Sequence, residues 1–187
     1  MKWRFAMTPK NKMIRTAVVC CTGKSPRLNG IDAMTVSMGC KAVLKDYPAG
    51  VRTCRFACLG GGDCVSVCRM NAIHISKDGI AEIKPELCVG CGLCAKACPQ
   101  KLIQIFPVED NIRPLCSNAD SGKAAKDVCP DSCIACRICE KKCPSAAIHV
   151  TENHAVIDTE KCIACGMCAV NCPRHVIHDM NGIFAAV

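Results

Sequence analysis

Cys162-Ile163-Ala164-Cys165-Gly166-Met167-Cys168-Ala169-Val170-Asn171-Cys172-Pro173 is the stretch that decides the fold. Its spacing is C-x2-C-x2-C-x3-C-P, a run that ligates [4Fe–4S] clusters. Three thiolates two residues apart let a short loop curl around one corner of a cubane. The fourth cysteine, three residues further on, points away and ligates the other cluster of a pair. The proline follows where a helix or turn begins, with φ already set and no N–H to lose.

The run occurs three times intact: Cys88-x2-Cys91-x2-Cys94-x3-Cys98-Pro99, Cys133-x2-Cys136-x2-Cys139-x3-Cys143-Pro144, and the stretch above. A damaged copy, Cys58-x5-Cys64-x3-Cys68, comes first, with Gly61 in the place of the second cysteine and Arg69 in that of the proline. Five residues after each closing cysteine stands an isoleucine (Ile73, Ile103, Ile148, Ile177), apolar cover at a fixed offset for a bulky inorganic body. Repetition in constant register identifies the architecture before any secondary structure is assigned. The expected fold is α+β: two tandem bacterial-type 2[4Fe–4S] ferredoxin modules, each with a short strand–helix lead-in.

Composition agrees. The chain has 187 residues and 21 Cys, but one Trp, one Tyr and four Phe. So few aromatics do not build an ordinary core, and small domains short of core use disulfides or metal centres. No apolar secretory segment precedes Cys21, and the cysteines are grouped in ligand spacing, so a reducing, cytoplasmic compartment and metal ligation are expected. The net charge of +8 does not signal nucleic acid. Each oxidised cluster with four thiolates carries about −2, so four carry about −8 and offset that excess. Lys and Arg are scattered and aromatics for base stacking are scarce, so no nucleic-acid partner is expected. No apolar run approaches a membrane span.

In chain order, residues 1–14 read as a basic tail, 15–107 as the first lead-in and ferredoxin module, and 112–187 as the second. In the first, Arg15–Cys20 is predicted as a strand and Met34–Lys45 as a helix that ends at Tyr47-Pro48. Ala72–Ser76 and Ile80–Lys84 form a hairpin through Asp78-Gly79, and Leu102–Phe106 is a strand. The second half repeats this plan with Ile112–Cys116, a helix at Ser121–Val128, a hairpin of Ala147–Thr151 and His154–Asp158, and a strand at Val176–His178.

Crossed ligation assigns most ligands. Cys133, Cys136 and Cys139 share a cluster with Cys172, and Cys162, Cys165 and Cys168 share one with Cys143. In the first module Cys88, Cys91 and Cys94 share a cluster with Cys68. The remaining set, Cys58, Cys64 and Cys98, lacks a ligand. Cys54 is the nearest substitute; the alternative is a three-iron [3Fe–4S] cluster. Four centres are therefore expected. Cys20, Cys21, Cys40, Cys116 and Cys129 are left over. They are read mostly as buried structural thiols, with a fifth centre as the alternative.

Other readings of these residues fit less well. Zinc sites use separated C-x2-C pairs, not three cysteines at successive x2 spacing plus a fourth. Cys129-x3-Cys133-x2-Cys136 matches the cluster signature of radical S-adenosylmethionine enzymes, but Cys139 and Cys143-Pro144 continue it as a ferredoxin motif. The Gly60-Gly61-Gly62 run lacks the context of a phosphate loop and reads as a tight loop over a cluster. His74, His149, His154, His175 and His178 read as exposed or locally hydrogen-bonded. There is no nucleophile–base constellation and no catalytic site, so the available chemistry is single-electron transfer.

The first lead-in (Val19-Cys20, Gly39-Cys40, Cys54, then Cys58-Leu59-Gly60-x2-Asp63-Cys64-x3-Cys68) and the second (Leu115-Cys116, Gly122-Lys123, Cys129-x3-Cys133) go beyond a generic ferredoxin. With them the chain, over about residues 15–180, resembles the B subunit of Rnf-type electron-transport complexes in its cysteine-rich form from anaerobes. The resemblance implies relay of electrons between soluble ferredoxin and the other subunits of a membrane complex that couples NAD reduction to ion movement. It implies a cytoplasmic location, peripheral at the membrane through a partner. It also implies a membrane helix and a separate four-cysteine cluster domain, which no stretch of this sequence matches. A fragment of such a subunit, a freestanding polyferredoxin carrier, and a non-redox metal-stapled binding module are the readings to separate.

Overall fold

The computed structural model describes residues 14–31, 38–180 and 182. The expected basic tail, except Ile14, and the start of the helix expected from Met34 lie outside those residues.

In the first half the elements are β1 (Arg15–Val19), α1 (Cys40–Asp46), α2 (Asp63–Ser66), β2 (Ile73–Ile75), β3 (Ala81–Ile83), α3 (Leu93–Ala97) and β4 (Ile103–Pro107). The second half has β5 (Ile112–Pro114), α4 (Gly122–Val128), α5 (Ile138–Lys142), β6 (Ile148–Thr151), β7 (His154–Ile157), α6 (Met167–Val170) and β8 (Ile177–Asp179). These make two strand pairs per half. β2 and β3 form the hairpin, with Ile73 opposite Ile83. β1 lies antiparallel to β4, with Val19 opposite Ile103. The second half repeats both: β6 with β7, Ile148 opposite Ile157, and β5 with β8, Pro114 opposite Ile177. Each lead-in strand thus closes its own half against the last strand, a long-range pairing that local sequence pattern does not reveal.

The expected strands and the hairpins are found, a residue or so displaced or shorter. The four short helices inside the motifs were not expected. Their cause lies in the loops before them. Two residues after the first cysteine of each copy, Gly60, Gly90, Ala135 and Ala164 have φ of 78°, 63°, 55° and 53°. Four residues after it, Gly62, Gly92, Arg137 and Gly166 have φ of 82°, 79°, 60° and 71° and open the helices. Three residues after the closing cysteine, Asn71, Lys101, Ala146 and His175 have φ between 49° and 54°. Left-handed backbone at three fixed places turns the chain tightly around each site, at a cost of about 1 kcal/mol for every residue there that is not glycine. The damaged copy keeps all three turns, so what it has lost is a ligand, not the loop.

The apolar cores include thiols. Ile112, Ile148, Val150, Val176 and Ile177 pack with Cys133, Cys139, Cys168 and Cys172 in the second half. Ala17, Ile73, Leu102 and Ile103 pack with Cys58, Cys64 and Cys94 in the first. A smaller cluster of Cys40, Val43, Val51 and Leu59 seats α1. The junction is clipped by Arg113, whose guanidinium stacks on Phe106 at 4.8 Å and donates to the carbonyls of Pro107 and Asp110. Among the described residues no helix is long and apolar enough to cross a membrane.

Candidate iron–sulfur centres

Each intact site starts from the tight loop that presents three thiols and the closing strand that supplies cover. In the second half, Cys133, Cys136, Cys139 and Cys172 line one pocket of about 320 Å³, walled by Val150, Ala155, Val176 and Ile177. Cys143, Cys162, Cys165 and Cys168 line another of about 300 Å³, against Ile112, Ile148 and Ile157. These are the two crossed sets expected from the spacing, brought together because α5 and α6 pack side by side. In the first half Cys68, Cys88 and Cys94 share one apolar cluster, and the Cys94 thiol lies within electrostatic range of Cys88 and Cys91.

The ligand-poor set is different from what the spacing suggests. Cys58, Cys64 and Cys98 line a pocket of about 370 Å³ with Cys40, under Val19, Ile75, Leu102 and Ile103. Cys54, expected as the substitute, lies in another pocket; Cys40 stands in its place. The reason is local. A side chain at Gly61 would put its Cβ 2.4 Å from the Cys40 nitrogen and 2.5 Å from the Gly39 carbonyl carbon. Gly61 is bare so that the start of α1 can pack where the second cysteine of an intact motif would stand. Asp63 then holds that start: its carboxylate accepts the Cys40 N–H at 2.9 Å and the Lys41 N–H at 3.3 Å. No ligand-spacing rule links Cys40 to Cys58, so the pairing does not show in the sequence pattern. The faint sign is a glycine at a ligand position followed by an acidic residue suited to a helix start. Gly61→Ala is therefore expected to push α1 off the site and destabilise the fold by about 1–3 kcal/mol. Thermal melting of the reconstituted protein measures it; an unchanged midpoint would mean that the contact is not tight.

The thiols are poised for metal. Burial pushes Cys58 up to about 11 and Cys64 and Cys168 up to about 12, so each is protonated at neutral pH without metal and releases its proton on ligation. Cys143 is the exception: burial pushes its thiol up too, but hydrogen bonds from Ser145 and Ala147 outweigh this and hold it below its usual range. Three backbone N–H groups donate to sulfur: Ala17 to Cys88 at 3.3 Å and Ala72 to Cys68 at 3.4 Å in one set, and Ala147 to Cys143 at 3.2 Å in another. Such bonds tune the potential of a bound cluster. Among the described residues no three His, Cys, Asp or Glu side chains converge on one point as ligands of a single ion would. A cubane takes its thiolates at four separate corners. The histidines stand apart: His74 pairs with Glu82 at 3.4 Å and His149 with Glu140 at 3.3 Å, on exposed faces.

Comparison with known proteins agrees with this chemistry. The 4Fe-4S dicluster domain family matches residues 57–102, and the 4Fe-4S binding domain family matches residues 155–178. The B subunit of the Na(+)-translocating ferredoxin:NAD(+) oxidoreductase complex of Acetobacterium woodii is 38% identical over 147 residues, 79% of this chain and 44% of the relative. The B subunit of the ion-translocating oxidoreductase complex of Methanosarcina acetivorans is 43% identical over 108 residues, 58% of this chain and 41% of the relative. The B subunit of the proton-translocating ferredoxin:NAD(+) oxidoreductase complex of Clostridium ljungdahlii is 35% identical over 109 residues, 58% of this chain and 38% of the relative. The chain spans less than half the length of these relatives. It is a [4Fe–4S] protein of about four clusters. In its ferredoxin part, the chain belongs to the family of B subunits of Rnf-type ion-translocating ferredoxin:NAD oxidoreductase complexes.

Proposed function

We propose that this chain relays single electrons through its cluster sites within an Rnf-like membrane complex, without a catalytic site of its own. The observation that supports this most strongly is that three separate pockets each gather four thiols under aliphatic cover. The proposed ligand sets are Cys40, Cys58, Cys64 and Cys98; Cys68, Cys88, Cys91 and Cys94; Cys133, Cys136, Cys139 and Cys172; and Cys143, Cys162, Cys165 and Cys168. A bound [4Fe–4S] core supplies a one-electron couple.

The protein's own residues do the rest. Ile73, Ile103, Ile148 and Ile177, all buried, keep water from the sites. The amides of Ala17, Ala72 and Ala147 set the electrostatics at sulfur. Cys91 and Cys136 are exposed, which suits exchange of electrons with an outside partner. Leu87, Val89 and Leu93 form an exposed apolar rim at the Cys91 loop, and Ile163, Met167 and Val170 form another at the Cys165 loop. Soluble ferredoxin on one side and the other subunits of the complex on the other are the partners proposed for these surfaces. The chain would act at the cytoplasmic face of the membrane, held there through those subunits.

The test is anaerobic reduction of the reconstituted chain by reduced soluble ferredoxin, followed by electron paramagnetic resonance, beside affinity purification from gently solubilised membranes. Rapid reduction and recovery of membrane subunits support the reading. Reduction without such subunits favours a freestanding polyferredoxin carrier. Redox-silent metal overturns electron transfer altogether.

A further inference from the structure

The five cysteines that the motif sets leave aside are not scattered. Cys20, Cys21, Cys54, Cys116 and Cys129 line a single pocket of about 330 Å³ between the two halves, together with Phe56, Ala57 and Leu115. Its size falls among those of the motif pockets, which run from about 300 to about 370 Å³.

The internal repeat sorts these five. The Cys20 N–H donates to the Leu102 carbonyl, and the Leu115 N–H donates to the Val176 carbonyl, both at 2.7 Å. Leu102 and Val176 hold the same offset from the closing cysteines Cys98 and Cys172. Cys20 and Leu115 are therefore equivalent, and so are the residues after them, Cys21 and Cys116. Those two face each other in an isolated antiparallel bridge across the seam. Cys54 and Cys129 are the second equivalent pair, each separated by x3 from the first cysteine of a motif, Cys58 or Cys133. Two cysteines from each half thus meet around a local pseudo-two-fold. Cys20 occupies a position that is leucine in the other half, and it is 2% exposed.

The seam is fastened at these residues. The Ser25 hydroxyl accepts the Cys54 N–H at 2.9 Å and donates to the Val128 carbonyl, next to Cys129, at 2.9 Å. The Thr53 hydroxyl donates to the same carbonyl at 2.8 Å, and Arg174 donates to the Cys129 carbonyl at 3.0 Å. The Cys54 thiol lies within electrostatic range of Cys21, Cys116 and Cys129. In the pocket wall, Ser117 Oγ and Asn118 Nδ2 are buried without a protein hydrogen-bond partner, which leaves polar groups for a sulfur inside the pocket.

We infer that Cys21, Cys54, Cys116 and Cys129 ligate a further [4Fe–4S] centre, shared between the halves at their seam, with Cys20 as a buried non-ligand. The inference rests on the reading of the motif sets as cluster ligands. It gives the seam a purpose. Cys116 Sγ accepts the N–H of Cys133, a ligand of the second half, at 3.3 Å, and Cys21 lies within electrostatic range of Cys58, a ligand of the first. A centre here would take one electron from the site on one side and yield it to the site on the other, returning to its starting oxidation state. The two modules would then form one continuous wire.

Iron and acid-labile sulfide are counted in the anaerobically reconstituted full chain and in two variants. Five centres need about twenty irons and four need about sixteen. The wild type is expected at about twenty, Cys54→Ala/Cys129→Ala at about sixteen, and Cys20→Ala unchanged at about twenty. A wild-type count of sixteen, or a double variant that matches the wild type, overturns the seam centre. Loss of a centre in Cys20→Ala overturns the ligand choice. The wild-type count keeps the test decisive even if the double variant folds poorly. The difference between wild type and double variant reads the seam alone, whereas the irons left in the variant read the motif sets, so failure of either reading is visible separately.

Discussion

Chelating the iron from the intact chain is expected to unfold most of it. Circular dichroism of the metal-free protein should show little fixed structure, and heating it should give no cooperative transition. The elements explain why. Among the described residues every sheet has two strands, and the helices run from four to seven residues. Helices this short are marginal in water and isolated strand pairs hardly better. The cores that hold them count ligand thiols among their buried members, Cys133, Cys139, Cys168 and Cys172 on one side and Cys58, Cys64 and Cys94 on the other. Without iron these sites become gaps lined by protonated thiols, and ligation free energy, on the order of 10 kcal/mol for structural zinc in comparable small sites, is withdrawn from folding. A sharp melting transition in the iron-free chain would show that the apolar residues suffice by themselves.

Replacing Cys40 has the next largest expected effect. Cys40→Ala should convert the centre of Cys58, Cys64 and Cys98 to a three-iron species, seen as the corresponding paramagnetic signal in the oxidised protein, and leave the other motif sites unchanged. Cys54→Ala should spare this same centre, because Cys54 lies in the seam pocket. The pair of variants discriminates sharply. If Cys54→Ala produced the three-iron species and Cys40→Ala did not, the placement of α1 over Gly61 would be wrong. Cys40 is buried and its N–H is held by Asp63, so the loop has little freedom to recruit another ligand after the substitution.

Much of this protein was legible in one dimension because cluster ligation is largely local. Three thiols of each intact set stand within seven residues of one another, and a C-x2-C-x2-C loop can close around a cubane in essentially one way. The α+β class, the tandem repeat, the hairpin at Asp78-Gly79 and the crossed pairing of Cys143 and Cys172 with each other's motif all followed from spacing and turn chemistry. Even the damaged copy was recognisable, and Gly60 and Gly62 keep the left-handed turns that glycine and alanine or arginine provide elsewhere.

The folded chain alone decided what depends on contacts between distant segments. The strand pairings of β1 with β4 and of β5 with β8 are fixed by apolar faces meeting across most of a module, not by any adjacent signal. The same long-range closure carries Cys21 and Cys116 to the seam, and it seats α1 so that Cys40 reaches a site from which Gly61 has withdrawn. Sequence by itself determined which cysteines belong to loops built for clusters. Tertiary structure decided which solitary cysteines join them, since a lone thiol has no spacing to be read and its neighbours are chosen only when the halves pack.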